Sequence, residues 1–162
     1  MRGSARRLVV RYLAEHADEL TRVWDVERPF SLFLDEGVIR GRADVVLDDE
    51  AGTSGRLAVV DYKVSHDEAR EARYREQLVV YAAAGRAEGL DVRAAHLHEL
   101  KDGARHPVDI DQLTVTTAAT RLGSQLARLS AGQFGPTADA TRCASCEQRR
   151  VCRRAPAPVA EG

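Results

Sequence analysis

Residues 26–47 read VERPFSLFLDEGVIRGRADVVL, and residues 57–65 read LAVVDYKVS. In the first stretch Phe30, Leu32 and Leu34 recur at period two, which is the spacing of one face of a β-strand. This predicts a strand over 24–34, a turn at Glu36-Gly37 and a second strand over 38–48. A polar loop with two glycines (48–55) leads into a valine-rich third strand over 56–64. Three strands joined by short connections predict an antiparallel meander.

Working outward, the period changes after Ser65. Leu78, Tyr81, Ala82 and Gly85 recur at helical intervals, which predicts a helix over 67–88 stopped by Gly89. Residues 92–100 read as a fourth strand. Strand, helix, strand is the order of a crossover, so the fourth strand is expected parallel to the third. Lys101-Asp102-Gly103 is a turn signal. A short strand over 105–110 is confined to the sheet edge by Pro107. Helices are expected over 5–20 and 111–131. The fold class is therefore α/β: a mixed sheet of a three-strand meander, a crossover helix and a further parallel strand, followed by a cysteine segment. The expected organisation is a core with its N-terminal helix at 1–135, a cysteine segment at 136–154 and a loose tail at 155–162.

The 162 residues suit one domain. At 44% hydrophobic and 30% charged, the composition excludes a disordered or fibrous chain. With 5% aromatics, the core has to be built mainly from Ala, Val and Leu. The net charge of -1 gives no overall attraction to nucleic acid or membrane, although both ends are locally basic. No apolar run reaches membrane-spanning length and no signal-peptide pattern opens the chain, so a cytoplasmic location is expected. No phosphate-binding G-x-x-x-x-G-K-[ST] loop occurs, which excludes a nucleotide-driven motor within these residues.

Two acids interrupt the apolar strands. Asp44 lies between Ala43 and Val45-Val46-Leu47, and Asp61 follows Leu57-Ala58-Val59-Val60. A lone buried carboxylate is costly unless it is paired or coordinated. Asp61 and Lys63 are two apart and so share a strand face. Two readings fit. Either these are strand-end acids and a surface ion pair, or the hairpin register brings Asp44 opposite Asp61 and the three groups converge. In the second reading, Asp44, Asp61 and the Tyr62 carbonyl offer hard oxygen ligands for Mg2+ or Mn2+, with Lys63 beside a phosphate. Gln77 and Tyr81, four apart, share a helix face, either as core and edge residues or turned to a substrate. Glu27 either reaches the same end of the sheet or is simply exposed. Arg42, two before Asp44, is placed to bind phosphate or neutralise the acid, and His66, in the strand-to-helix loop, is placed to contact substrate DNA. His96 and His98 read as surface or interface residues.

With YREQLVVYAAA at 74–84, these stretches resemble the PD-(D/E)XK nuclease superfamily in its RecB/AddB-like branch. They most resemble the C-terminal nuclease-like region of actinobacterial UvrD/PcrA-type helicases. The pattern is an Asp after Gly-x-x, then (D/E)-x-K, then Q-x-x-x-Y, over residues 24–154. The resemblance implies a restriction-endonuclease-like fold. It also implies metal ligation by Asp44 and Asp61, a catalytic Lys63, and Gln77 and Tyr81 as active-site helix residues. The implied activity is metal-dependent hydrolysis of DNA, as single strands or ends, alongside a helicase partner or parent chain.

Cys143, Cys146 and Cys152 place three thiols in ten residues of an otherwise cysteine-free chain. That spacing suits Zn2+ or an iron–sulfur cluster better than disulfides, the remaining reading being three free thiols. Arg149 and Arg150 are positioned to touch phosphate. In the resembled family such a trio supplies three ligands of a [4Fe-4S] cluster, and the fourth lies upstream. Here no cysteine precedes Cys143, and His16 does not match the family's upstream Gly-x-x-x-His element. Both features are expected before Met1 in longer relatives, which makes the chain a truncated product, a degenerate remnant or half of a split system. Two functions follow: a divalent-metal-dependent DNA nuclease of repair or recombination, or a non-catalytic DNA-binding or scaffolding module of a helicase.

Overall fold

The computed structural model describes residues 2–48, 55–65, 68–135, 139, 143–144 and 146–152. It divides into two compact units, Met1–Ala127 and Arg128–Gly162. The first carries a five-stranded sheet in the order β1-β2-β3-β4-β5. Its elements are α1 (Arg2–Glu15), β1 (Val23–Leu34), β2 (Gly37–Asp48), β3 (Arg56–Lys63), α2 (Glu68–Ala87), β4 (Asp91–Glu99) and β5 (Arg105–Pro107), and it contains most of α3 (Gln112–Ser130). This is the expected α/β mixed sheet. β1, β2 and β3 pair antiparallel, β4 joins β3 in parallel after the α2 crossover, and β5 pairs antiparallel at the edge.

The differences from expectation lie at element ends. α1 stops at Glu15, and a 3-10 turn over Ala17–Arg22 takes the rest of the predicted 5–20 helix. The edge strand is three residues long, ending at Pro107, which has no N–H to extend the ladder. No helix among the described residues is long and apolar enough to cross a membrane.

α2 covers the sheet. Its Leu78, Tyr81 and Ala82 are buried against Phe30, Leu32, Val46, Val59 and Val92. Phe30 and Tyr81 lie with ring centroids 5.9 Å apart. At Gly85 a Cβ would meet a Val92 methyl at 2.8 Å, so the missing side chain lets the helix sit close to the strand. On the α1 side, the Arg11 guanidinium donates to the carbonyls of Lys101 and Leu100, tying α1 to the β4–β5 turn.

Two details of β1 and β2 shape the site. The burial alternation that turns Ala43 inward changes phase at Asp44, because Val46 is also fully buried. Opposite, Val26 pairs with Val45 and Arg28 with Ala43, so Glu27 stands across from Asp44. Glu27 has φ +52, a left-handed conformation that costs a non-glycine residue about 1–2 kcal/mol. Both strands are therefore irregular at one level, that of Asp44.

Candidate active site

The β2–β3 ladder runs from Asp48↔Leu57 to Val45↔Val60. Continuing that register sets Asp44 opposite Asp61, where the ladder has already ended. The next backbone donor on β3, the Tyr62 N–H, goes instead to Asp44 Oδ2 at 2.8 Å. The Asp44 carboxylate thus occupies the place of a strand bond, which fixes it between the diverging strands.

Asp61 is 1% exposed. Its Oδ2 lies 2.5 Å from Lys63 Nζ, the same-face neighbour two residues on. Oδ1 is buried with no hydrogen-bond partner among the described residues. Burial raises the Asp61 pKa; Lys63 opposes that rise, and the nearby Asp44 charge reinforces it. A buried carboxylate with an open lone pair, next to a second carboxylate, is the donor set a hard divalent cation satisfies. The residues therefore fit Mg2+ or Mn2+ by donor chemistry, with the Tyr62 carbonyl as a further oxygen on the same strand. Among the described residues, no three His, Cys, Asp or Glu side chains gather closely enough to hold a metal ion, at the acids or at the cysteines.

α2 roofs the site. The Lys63 ammonium lies 4.6 Å from the Tyr74 ring centroid, a cation–π contact that holds the amine over the strand. Three and seven residues on, Gln77 and Tyr81 present the same helix face. Gln77 Nε2 donates to the Tyr81 hydroxyl at 2.7 Å, and the Arg42 N–H donates to it at 3.2 Å. The hydroxyl thereby pins β2 two residues before Asp44. A Cβ on Gly41 would lie 2.4 Å from Tyr81 Cε1, so the glycine of Gly-x-x-Asp is the bed on which this ring rests.

Of the expected residues, Asp61 and Lys63 meet directly, the strand register sets Asp44 opposite Asp61, and Gln77 and Tyr81 meet each other on α2. Arg42 is exposed, its Nη1 3.6 Å from Glu27 Oε2 across the strand pair. His66 lies outside the described residues. Sequence reasoning missed Tyr74, although its spacing to Gln77 and Tyr81 marked the shared helix face.

One expectation is corrected. His98 is 1% exposed, not a surface residue. Tyr12, His16 and Tyr62 pack edge-on around its ring, and Arg105 Nε donates to its Nδ1 at 3.3 Å. Burial, reinforced by Arg105, lowers its pKa to about 4, so it is neutral at physiological pH. Arg105 also pairs with buried Glu19, which accepts from the Tyr12 hydroxyl at 2.9 Å. Tyr12 and Tyr62 share a 2.5 Å hydroxyl contact. This network supports β3 beside the acids.

In the second unit Cys146 is exposed, Cys143 and Cys152 are half-buried, and all three are free thiols. Arg149 and Arg150 lie in a 3-10 turn over Glu147–Arg150.

The family model of the PD-(D/E)XK nuclease superfamily matches residues 2–153. The chain belongs to the PD-(D/E)XK nuclease superfamily. Within it, the fold is restriction-endonuclease-like, as solved structures bear out. A "Putative exonuclease" from Eubacterium rectale superposes with a TM-score of 0.61 at 16% identity, over 96% of this chain and 62% of its own. SSO0001 superposes with a TM-score of 0.53 at 17% identity, over 93% of this chain and 68% of its own. At such identities the likeness is one of fold. The chain spans about 62% of the length of the Eubacterium protein. No curated protein matches it.

Proposed function

We propose that this PD-(D/E)XK nuclease-superfamily chain hydrolyses phosphodiester bonds of DNA with Mg2+ or Mn2+ as cofactor. The observation that carries the reading is Asp61: a buried carboxylate with one open oxygen, ion-paired at 2.5 Å to Lys63 and facing Asp44. Asp44, Asp61 and the Tyr62 carbonyl would hold the ion. Bound there, it supplies Lewis acidity toward a phosphate diester. Lys63, steadied by Tyr74, places a fixed positive charge where the phosphate oxygens gain charge in the transition state. The Tyr81 hydroxyl already accepts two N–H bonds, which leaves its own proton free to donate to a phosphate or water. Gln77 fixes that orientation.

Single strands or ends are the proposed substrates, supplied by a helicase as partner or parent chain, in a cytoplasmic repair or recombination setting. Cys143, Cys146 and Cys152 are proposed as three ligands of a [4Fe-4S] cluster whose fourth lies outside these residues, with Zn2+ as the other occupant. Iron, sulfide and zinc analysis of anaerobically purified protein distinguishes the two, and absence of all three refutes both. The test of the main reading is cleavage of labelled single-stranded DNA in Mg2+ and in Mn2+. Asp61→Ala is expected to lower the rate by about 100-fold or more. Undiminished cleavage by that variant refutes the assignment.

A second reading, a non-catalytic DNA-binding or scaffolding module, draws on the absence of a third metal-ligating side chain beside the two acids among the described residues. DNA binding without hydrolysis in either metal would favour it.

A further inference from the structure

The first unit carries two exposed patches of opposite charge. On α1, Arg6, Val9, Val10 and Leu13 are spaced i, i+3, i+4 and i+7, so they share one helix face. That face looks outward: Val9 is 56%, Val10 57% and Leu13 42% exposed, and Arg6 is exposed among them. Arg7, also exposed, borders the face three residues before Val10. Neither guanidinium has a carboxylate partner among the described residues. Glu15 lies on the other side of the helix, where it pairs with Arg11. α1 has no acid in its first turn and no base in its last, so its charges do not complement its own dipole.

The β1–β2 turn carries the opposite sign. Asp35 and Glu36 are exposed there, and neither has a cationic partner among the described residues. They rim a hollow of about 420 Å3 against α3, whose floor includes Leu34, Ala119 and Gly123. Gly123 leaves the hollow open beneath the acid: a Cβ there would lie 2.9 Å from Glu36 Oε2. One patch is thus a convex apolar ridge with arginines, the other an acid-rimmed hollow with a small, apolar floor. Each offers what the other lacks. The net charge of -1 conceals this segregation and gives two copies little reason to repel.

We infer that a second copy of this chain is the partner of both patches, with Val10 and Leu13 of one protomer entering the hollow of its partner, and Arg6 and Arg7 set against Asp35 and Glu36. The contact is heterologous, because the two patches differ. Each pair therefore leaves one patch of either kind free, and association continues past the dimer unless a ring closes. The inference does not depend on the nuclease reading.

Sedimentation of the full chain over a concentration series tests it. The average mass should rise with concentration beyond that of a monomer. It should fall back as salt is raised from about 0.1 M to about 1 M, where the screening length shortens from about 10 Å to about 3 Å. Arg6→Glu/Arg7→Glu sets acid against acid, and Asp35→Lys/Glu36→Lys sets base against base, so each variant alone should be monomeric. Both should keep the wild-type melting curve, since all four side chains are exposed. Mixed in equal amounts, the two variants restore opposite charges across the contact and should associate again. A wild type that is monomeric at every concentration overturns the inference, as does a mixture that stays monomeric. An arginine variant that associates like wild type and differs only in its affinity for oligothymidylate assigns the basic face to nucleic acid and overturns it too.

Discussion

Substituting Gly41 tests whether the site is set by the contact between α2 and β2. Gly41 is not one of the positive-φ glycines, so backbone conformation does not require glycine there. Proximity does: a Cβ would lie 2.4 Å from Tyr81 Cε1 and 3.2 Å from both Cζ and the hydroxyl oxygen, against 3.4 Å or more in ordinary contact. The ring has to retreat by about 1 Å, yet it is 5% exposed and packed on Phe30. Overpacking of this kind costs about 1–3 kcal/mol. Losing the hydrogen bond from the Arg42 N–H adds about 0.5–1.5 kcal/mol. Less the advantage of about 0.5–1 kcal/mol that alanine has over glycine in a strand, Gly41→Ala should destabilise by about 1–4 kcal/mol, read from the urea midpoint, and slow DNA cleavage by loosening the strand that carries Asp44. In a Tyr81→Leu background the clash is gone, and alanine in a strand is better than glycine by about 0.5–1 kcal/mol. The double-mutant cycle should show a coupling of about 2 kcal/mol or more. Additivity within about 0.5 kcal/mol would refute the argument that the ring is what requires the glycine.

Three further outcomes are expected. Asp61→Asn should raise the urea midpoint at pH 7 while abolishing metal-dependent cleavage: a carboxyl whose folded pKa is raised costs stability at every pH above its unfolded value of 3.8, and the gain should vanish below that pH. A midpoint that falls at pH 7 contradicts this. Glu19→Gln should destabilise by about 3 kcal/mol in urea, because it strands the Arg105 guanidinium, whose side chain is only 21% exposed; a loss under 1 kcal/mol would make the pair a surface one. His98, with a folded pKa of about 4 against 6.5 unfolded, contributes stability that is whole above pH 6.5 and drains as the pH falls toward 4, up to about 3 kcal/mol at about 1.4 kcal/mol per unit. Glu19, lowered from 4.5 despite its burial by hydrogen bonds from Arg105 and Tyr12, loses its share below pH 4.5, so His98→Asn should flatten the profile between pH 6.5 and 4.5 and leave the Glu19 slope below that.

The parts of the fold legible in sequence were those set by local rules. Period-two alternation marked β1 to β3, and the switch to helical spacing after Ser65 marked the crossover that makes β4 parallel to β3. The Asp61–Lys63 pair was legible because strand geometry alone puts residues two apart on one face. What stayed hidden depends on contacts distant in sequence. Alternation told that His96 and His98 share a face, but which face is covered depends on Tyr12 arriving from α1 and His16 from the start of the 3-10 turn after it. The roles of Tyr74 and Gly41 likewise appear only when α2 lies across the sheet. The phase change at Asp44 had no sequence signal either, since Glu27 is not a residue expected at positive φ.

Two of the buried carboxylates, Glu19 and Asp61, differ in a way that separates scaffold from chemistry. Glu19 has its oxygens occupied: Arg105 takes both, and Tyr12 and His16 approach as well. Its pKa falls, so the fold gains from its charge. Asp61 has one oxygen on Lys63 and one on nothing described, faces a second carboxylate, and has a raised pKa, so the fold is strained by its charge. A packed interior has cheaper occupants for such a position, and an apolar residue would complete the strand begun by Val59 and Val60. A group that weakens the folded chain while leaving a lone pair open toward a second acid is explained by what it binds. The same inference does not extend to Glu19, however deeply buried, because nothing about it is left unsatisfied.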